Sequence, residues 1–194
     1  MGKIVHLNKI KEFIRSVPVF RVRDIEIITG NRNYAHLILH KLEKRGEIKR
    51  VVKGWYSIYE DPIFSVFCFK PSYIGLHEAL SLYNLWEQET NVIIITAKRI
   101  RSGIRKIFEN NIILRRIKSE YLFGFDFINY RDFFIPVSDI EKTLIDFLYF
   151  KEKISKEIIK ELVKRINKKK IHEYLKKYPN SFSKKVRKFI SKFS

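Results

Sequence analysis

Apolar residues recur at intervals of three and four over the first part of the chain, which is the spacing of one face of an α-helix. Pro18 ends the first such stretch, because proline cannot continue a helix, and residues 19–23 can add one short strand. The stretch covers residues 4–16, and its apolar face is formed by Ile4, Leu7, Ile10, Phe13 and Ile14. The pattern therefore predicts an N-terminal helix followed by an extended segment.

A short helix, a tight turn and a longer helix are predicted next. The short helix contains Ile25, Ile27 and Ile28 and ends at Thr29 and Gly30. Asparagine in the following turn can cap a new helix, because its side-chain oxygen accepts a backbone N–H that has no partner within the helix. The apolar face of that helix is formed by Ala35, Ile38, Leu39 and Leu42. Gly46 closes it, since glycine adopts left-handed backbone angles at little cost.

Two short β-strands complete this N-terminal module. Residues 48–52 and 55–59 are rich in β-branched and aromatic side chains, and Lys53 and Gly54 form a turn between them. Helix, turn, helix and a two-stranded wing is the order of a winged helix-turn-helix. We assign this module to residues 1–60 and place its boundary at Asp61 and Pro62.

The outer face of the longer helix carries the candidate DNA-binding residues. A recognition helix presents such a face to base edges in the major groove. There Asn33 can pair with adenine and Arg32 with guanine or a phosphate, while Leu37 can contact a thymine methyl. The alternatives are a solvated helix whose Leu37 packs on a neighbouring domain, and a solvated wing. The predicted DNA-binding set is Asn31, Arg32, Asn33, His36, Leu37, His40, Lys41 and Lys44 on the helix, with Arg50 and Lys53 beside the wing turn.

Residues 61–194 predict a second, α+β domain with a mainly antiparallel sheet. We expect strands at residues 63–69, 92–96, 112–117, 121–127 and 133–137, and a helix over residues 73–85. Ser138 and Glu141 have the spacing of a capping box, which would open another helix with Ile140, Leu144, Ile145 and Leu148 on its buried face. From about residue 151 the chain is predicted to be a basic helical C-terminal tail. The overall fold class is therefore α+β.

The charge of the chain is extreme. It has 194 residues, and 40 lysines and arginines against 21 acidic residues give a formal net charge of +19. Such an excess favours a polyanionic partner, with nucleic acid first and an acidic protein or a membrane surface second. Outside the N-terminal module the cations that could extend such a surface, or could simply be solvated, are Lys98, Arg99, Arg101, Arg105, Lys168, Lys169, Lys170, Lys184 and Lys185.

Several classes of protein fit this sequence poorly. A single cysteine, Cys68, rules out an internal disulfide and a cysteine-based zinc cluster, and it fits a reducing cytosol. No apolar signal core and no run of about 18 apolar residues is present, so we expect a soluble cytoplasmic protein. Phosphate-binding, dinucleotide-binding, zinc-protease and hydrolase motifs are missing. We therefore predict no enzymatic activity and no cofactor.

Two residue sets come nearest to a metal site. His36 and His40 have the i, i+4 spacing of two ligands on a helix, but no third ligand is evident. Asp139, Glu141 and Asp146 could form a carboxylate cluster for metal-dependent nuclease chemistry. The capping role expected for Glu141 and the position of Asp146 outside the apolar stripe of its helix argue against that cluster. The sequence therefore predicts no metal site.

Three stretches together resemble the AbiEi-type antitoxins, which are transcriptional regulators of type IV toxin–antitoxin and phage-defence operons. One is the end of the winged module, residues 42–56. Another combines residues 73–85 with the strand at 92–96. The third is the most specific, because Ser138, Glu141, Lys142, Leu144 and Asp146 match the S-x-x-E-K-x-L-x-D pattern of that family.

The resemblance implies a specific function. Such proteins bind inverted repeats in their own promoter through the winged domain and thereby repress it. Their C-terminal domain helps to neutralise a nucleotidyltransferase-like toxin without covalent chemistry of its own. The expected partners are therefore double-stranded promoter DNA and such a toxin, and no membrane. The alternatives are a stand-alone winged-helix regulator or architectural protein without a toxin, and a nuclease accessory factor.

Overall fold

The chain divides into two compact units. The structure, a computed structural model, describes residues 2–193 and the side chains of residues 7–193, so Ile4 of the first predicted helical face lies outside the described side chains. The first unit comprises Met1–Phe69 with Lys106–Asn111, and the second comprises Lys70–Arg105 with Ile112–Ser194. The boundary expected at Asp61 and Pro62 precedes a segment that the first unit retains.

The first unit combines three helices with a small antiparallel sheet. The strand order is β1-β3-β2, and both pairings are antiparallel. The helices pack their apolar faces together around residues such as Ile10, Phe20, Ile25 and Leu39. The elements are α1 (Gly2–Ser16), β1 (Phe20–Arg21), α2 (Val22–Thr29), α3 (Arg32–Lys44), β2 (Lys49–Val52) and β3 (Trp55–Ser57).

The ends of α3 follow the capping rules. The Asn31 side chain accepts a hydrogen bond from the Tyr34 backbone N–H at 2.9 Å, so the predicted asparagine cap is confirmed. At the other end, Gly46 has a φ of +71° and its N–H bonds the Glu43 carbonyl, while the Glu47 N–H bonds the Leu42 carbonyl. This pair of bonds is a Schellman motif, which explains why a glycine stands there.

The predicted strand at residues 63–69 is wrong. Pro62–Phe69 forms a run of 3₁₀-helix whose side chains at Ile63, Phe64, Val66 and Cys68 are all buried. A short, continuously apolar run has neither the period of two nor the period of 3.6, so its pattern does not distinguish a buried strand from a buried helical turn.

The second unit is built on a six-stranded sheet in the order β6-β7-β5-β4-β9-β8. The expectation of a mainly antiparallel sheet needs correction, because the sheet is mixed: β5 runs parallel to β7 and β4 runs parallel to β9. β7 lies between β6 and β5 in this order, and it runs parallel to β5. The strands are β4 (Ser72–Ile74), β5 (Val92–Thr96), β6 (Gly103–Ile107), β7 (Asn110–Arg116), β8 (Phe125–Tyr130) and β9 (Phe133–Ser138).

The helix expected from residue 73 begins later. Tyr73 lies in β4, and α4 spans Leu76–Leu82 after Gly75. A Cβ on Gly75 would stand 2.4 Å from the Ile95 side chain, so only glycine allows this close approach to β5. Tyr73 is thus a sheet residue that is fully buried in the core of the second unit.

The basic region from about residue 151 forms helices that pack into the second unit. Its helices contribute buried side chains, among them Leu162, Ile171, Leu175 and Val186, to the same core as the strands of this unit. The helices of the second unit after α4 are α5 (Ile140–Phe150), α6 (Lys156–Arg165), α7 (Lys168–Leu175) and α8 (Asn180–Ile190).

The predicted capping box at the start of α5 is also wrong. Asp139 is the N-cap, and its carboxylate accepts a hydrogen bond from the Lys142 backbone N–H at 2.7 Å. Ser138 is the last residue of β9 and shares a 2.7 Å hydrogen bond with the Thr143 hydroxyl. Glu141 instead accepts a hydrogen bond from the Asn167 backbone N–H ahead of α7.

Candidate nucleic-acid interface

The outer face of α3 brings most of the predicted DNA-binding residues together. Ala35, Ile38, Leu39 and Leu42 are buried on its inner side. The helical turn of 100° per residue then directs the remaining positions away from the core. The predicted residues on α3, all of which are exposed, are Arg32, Asn33, His36, Leu37, His40, Lys41 and Lys44.

This face is cationic and its polar groups are available to a ligand. Within residues 2–193, the side chains of Arg32, His36, His40, Lys41 and Lys44 form no hydrogen bond or ion pair with the protein. The single acid on α3, Glu43, lies at the edge of the face and contacts Arg50 across 3.8 Å. Side chains that are not engaged by the protein can move to contact phosphates or base edges without breaking an existing bond.

Asn31 differs from the rest of the set. It is exposed, but its side-chain oxygen is occupied by the capping hydrogen bond to Tyr34. Its role in the structure is therefore to begin α3, and only its amide nitrogen is left to contact a ligand. Asn33, two positions further along the chain, has its whole carboxamide free among the described residues.

The two flanks of α3 have different chemistry. On one flank a groove is lined by Val22, Arg23, Glu26, Ile27, Gly30 and Arg32, at the turn between α2 and α3. The other flank is an apolar groove lined by Leu7, Tyr34, Leu37, Ile38, Lys41, Leu42 and Arg45. Leu37, 48% exposed, lies on this apolar flank and not at the middle of the outer face.

Arg23 was not predicted as a site residue, and Ile27 was expected only as one of the apolar residues of α2. Both line the groove beside Arg32, and Ile27 is 75% exposed. The helical period alone could have placed Ile27 on the exposed side of α2, because it lies about 200° around the helix from buried Ile25. An isoleucine on the solvent side of a short helix next to free cations is a candidate contact residue.

The turn between β2 and β3 presents one of its two predicted cations. Lys53 is exposed beside Gly54, whose φ of +81° the turn requires. Arg50 is held further back, where its guanidinium lies 5.7 Å from the centre of the Tyr56 ring and contacts the Tyr56 hydroxyl. The hydrogen bond that the Arg50 guanidinium donates to the Tyr56 hydroxyl raises the pKa of Arg50, so the guanidinium stays charged.

The predicted cations of the second unit differ in their availability. Arg99, Arg101, Lys168, Lys169, Lys184 and Lys185 are exposed, and Lys98 is exposed as well. Arg105 instead donates to the carbonyls of Ile104 and Arg101, at 2.9 and 2.8 Å. Lys170 is bound by two carboxylates, with its Nζ 3.0 Å from Asp139 and 3.6 Å from Glu141. Lys170 therefore serves the fold of this unit.

Helix α8 has the strongest separation of charge from apolar surface in the second unit. The helix and the residue pair after it contain no acidic residue. Ser183 and Val186 are buried on one side. The cations lie away from these buried residues, and none of them forms an ion pair within the described residues. They are Lys184, Lys185, Arg187, Lys188 and Lys192. Like charges at i, i+4 oppose helix formation, so a polyanion would relieve this repulsion.

The residues of the S-x-x-E-K-x-L-x-D pattern are buried, which corrects the view that Asp146 lies outside the core. Asp146 is fully buried, with one carboxylate oxygen bonded to the Lys142 Nζ and the other 2.7 Å from the Tyr73 hydroxyl. The Lys142 Nζ also lies 5.5 Å from the centres of the Tyr73 and Phe123 rings. These groups hold α5 against β4 and are closed to a partner.

Burial dominates the electrostatics of this cluster. It lowers the pKa of Lys142 and raises that of Asp146, and in each case the opposite charge of the partner acts against the shift. It also raises the pKa of Tyr73, so that phenol stays protonated and donates to Asp146. Asp139 similarly accepts from the Tyr174 hydroxyl at 2.6 Å. A fully buried cluster with no open face is suited to stabilising a fold and not to turning over a substrate.

The part of the chain that the structure describes lacks two further features. No group of three or more histidine, cysteine, aspartate or glutamate side chains is placed there to hold a metal ion. No helix in that part is both long and apolar enough to cross a membrane.

Comparison with known proteins gives one informative likeness. No protein-family model matches the chain, and no curated protein matches it. Among solved structures, the chain is similar to the RV2827C protein from Mycobacterium tuberculosis, with a TM-score of 0.59 and 11% sequence identity. The match covers 93% of this chain and 73% of that one. At this level of identity the likeness shows the α+β fold alone.

Proposed function

We propose that this chain is a DNA-binding transcriptional regulator that acts as the antitoxin of an AbiE-like, type IV toxin–antitoxin system. In this proposal residues 1–60 are a winged helix-turn-helix, with α3 as recognition helix and the β2–β3 turn as wing. The observation that carries the DNA-binding part is the outer face of α3, where exposed cations and Asn33 are free of protein partners.

The geometry suggests how the work of binding is divided. A B-DNA major groove is about 12 Å wide and admits one α-helix. Asn33 and Arg32, in the first turn of α3, are then nearest to base edges, while Lys41 and Lys44 further along meet phosphates. Lys53 in the wing adds a phosphate contact, which positions the protein without specifying sequence. The apolar side chains of Ile27 and Leu37 are available to contact thymine methyl groups.

The antitoxin part rests on the resemblance of residues 138–146 to the family pattern. Because Lys142 and Asp146 are buried, any toxin contact has to come from exposed residues of the second unit. The unpaired cations of α8 are the candidates, since an acidic surface on a toxin would complement them. Inverted repeats in the promoter are the expected operator, and the toxin is expected to be nucleotidyltransferase-like.

DNA binding is tested with a double charge reversal on α3. Arg32→Glu with Lys44→Glu should abolish binding to the upstream promoter fragment in a gel-shift assay. The matched control is Lys9→Glu with Arg15→Glu on α1, which removes the same charge from two other exposed positions of the first unit. If both variants lose equal affinity, binding depends on net charge and not on α3, and the recognition-helix proposal fails.

A stand-alone regulator without a toxin is the second candidate, since the α3 surface supports it equally. Co-expression distinguishes the two. The gene beside this one, if it encodes a nucleotidyltransferase-like protein, should arrest growth when it is expressed alone, and the full chain should restore growth. Rescue by the Arg32→Glu, Lys44→Glu variant would show that neutralisation does not need DNA binding. Failure of the parent chain to rescue would leave only the stand-alone regulator.

A further inference from the structure

One end of the six-stranded sheet is open. β8 is the terminal strand, and within residues 2–193 it pairs with β9 alone, over six consecutive residue pairs from Phe125 to Tyr130. The backbone N–H and C=O groups on the outer side of such a strand can pair with another strand. Folded proteins usually guard an edge of this kind with charged side chains.

The two terminal strands of the sheet differ in charge. β6, at the opposite end, carries Arg105 and Lys106 within five residues, and this charge opposes the approach of another copy. β8 contains no lysine or arginine. Asp126 is the one charged residue of β8, so this strand lacks the cations that protect β6.

Two exposed aromatic side chains lie beside this open edge. Phe127 is 61% exposed and Phe134 is 64% exposed. The register pairs Phe127 with Pro136 and Asn129 with Phe134, so both phenylalanines lie on the same face of the β8–β9 hairpin. Phe125 stacks on buried Tyr73 with ring centres 5.3 Å apart and meets the Phe127 ring edge-to-face at 6.4 Å. Phe127 is thus connected to the core through Phe125.

We propose that the β8 edge is a self-association surface, on which two copies of the chain pair β8 to β8 in antiparallel orientation. A two-fold axis normal to the sheet makes such pairing self-complementary. It also brings the Phe127 and Phe134 side chains of both copies onto one continuous face. This proposal goes beyond DNA binding and does not depend on it.

The charge distribution identifies a second copy as the occupant. Two molecules of charge +19 repel each other, and the repulsion is smallest where the facing surfaces carry few cations. The β8 edge is such a place, because the strand contains no lysine or arginine, and each copy offers the same terminal strand.

The association should be weak and should strengthen with salt. An interface made of one strand and two aromatic side chains per copy belongs to the smallest class of protein interfaces. Salt shortens the Debye length from about 10 Å at 0.1 M to about 3 Å at 1 M, which screens the repulsion between the two basic molecules. Protein–DNA binding has the opposite dependence on salt.

Sedimentation velocity of the full chain without DNA tests the proposal. From about 1 to about 100 μM, the range suited to a weak interface, the parent should shift from monomer toward dimer, and more so at higher salt. Phe127→Lys with Phe134→Lys should remain monomeric. The control is Ile104→Lys on β6, where an equally exposed apolar residue, at 64%, gains one lysine at the other edge, and it is matched in charge to the single β8 variant described next. It should dimerise like the parent.

A second variant keeps the test valid if the double substitution prevents folding. Asn129→Lys adds a cation to β8 on the Phe127 face without removing an aromatic ring, and it should also remain monomeric. Circular dichroism should be unchanged in all variants. A parent that stays monomeric at every concentration and salt would overturn the proposal. So would dimers of the β8 variants, or a loss of dimer in Ile104→Lys that equals the loss in them.

Discussion

Replacing Lys142 with methionine tests whether the buried cluster on α5 holds the second unit together. Methionine matches the apolar stem of lysine as far as Cε but removes the ammonium group that faces Asp146. The Asp146 carboxylate then retains the Tyr73 hydroxyl, at 2.7 Å, as its hydrogen-bond partner while remaining fully buried. The substitution therefore leaves a buried negative charge without a facing cation and changes the packing little.

The cost follows from that unpaired charge. Removing one partner of a buried ion pair costs about 3–5 kcal/mol, because the remaining charge is not solvated. Protonation of Asp146 limits the cost, so we expect a loss near the lower figure, about 3 kcal/mol at pH 7. For a chain of this size each kcal/mol lowers the melting temperature by about 2–4 °C. The melting transition of the second unit should therefore fall by about 6–12 °C.

The pH dependence makes the prediction specific. The Lys142 charge lowers the pKa of Asp146 against the opposing effect of burial, so its removal raises that pKa further. At pH values between the pKa of Asp146 in the parent and its higher pKa in the variant, the folded variant binds more protons than the unfolded chain. The stability of the variant therefore falls as the pH rises through this range. The deficit relative to the parent should therefore be smaller at pH 5 than at pH 8.

Differential scanning calorimetry at several pH values measures this, because it can resolve a transition of one unit from that of the other. A second substitution supplies the control. In Lys142→Met with Asp146→Asn, no buried charge remains and the amide oxygen can still accept from Tyr73, so much of the stability should return and its pH dependence should flatten. A loss below about 1 kcal/mol, or a deficit that is the same at pH 5 and pH 8, would refute the reasoning.

Three further predictions concern a glycine, a helix cap and the turn between β2 and β3. In thermal melts, Gly124→Ala should destabilise the second unit more than Gly54→Ala destabilises the first. Both glycines have a φ near +70° to +80°, but only at Gly124 would an added Cβ meet a side-chain atom, at 2.8 Å. Asn31→Ala should lower the free energy of unfolding in urea by about 1 kcal/mol, through loss of the cap. Arg50→Ala with Lys53→Ala should weaken DNA binding in fluorescence anisotropy without changing the preferred site, and it should reduce the salt slope by about 1 per lost phosphate contact.

The first unit was largely predictable because several local rules agree there. The apolar face of α3, the Asn31 cap and the Gly46 end are each encoded within a few residues, and each prediction matched the structure. Arg50 shows the limit of this approach. Its position beside the turn was expected, but its contact with Tyr56 depends on the register shift between Arg50 and Val52, which places Arg50 opposite Tyr56 and which sequence spacing does not specify.

The second unit was less predictable, because its decisive contacts join distant residues. Tyr73 and Asp146 are 73 positions apart, and only the fold brings the phenol to the carboxylate. Periodicity assigns a charged residue to the surface, so the burial of Lys142 and Asp146 was missed. Their i, i+4 spacing, in a helix that is otherwise apolar, was the available sign that the two charges pair with each other.

The distribution of charge lets the proposed contacts coexist on one chain. The faces of α3 and α8 are cationic and unpaired, whereas the β8 edge is nearly free of cations. A phosphate backbone is attracted to the first two and repelled by the third, so DNA would not compete with a second copy for β8. Two copies joined at β8 would also bind an inverted repeat with higher apparent affinity than a single half-site, because the second contact becomes intramolecular. Since salt weakens DNA contacts and strengthens the β8 contact, the cooperative fraction of promoter binding should increase with ionic strength while total affinity falls.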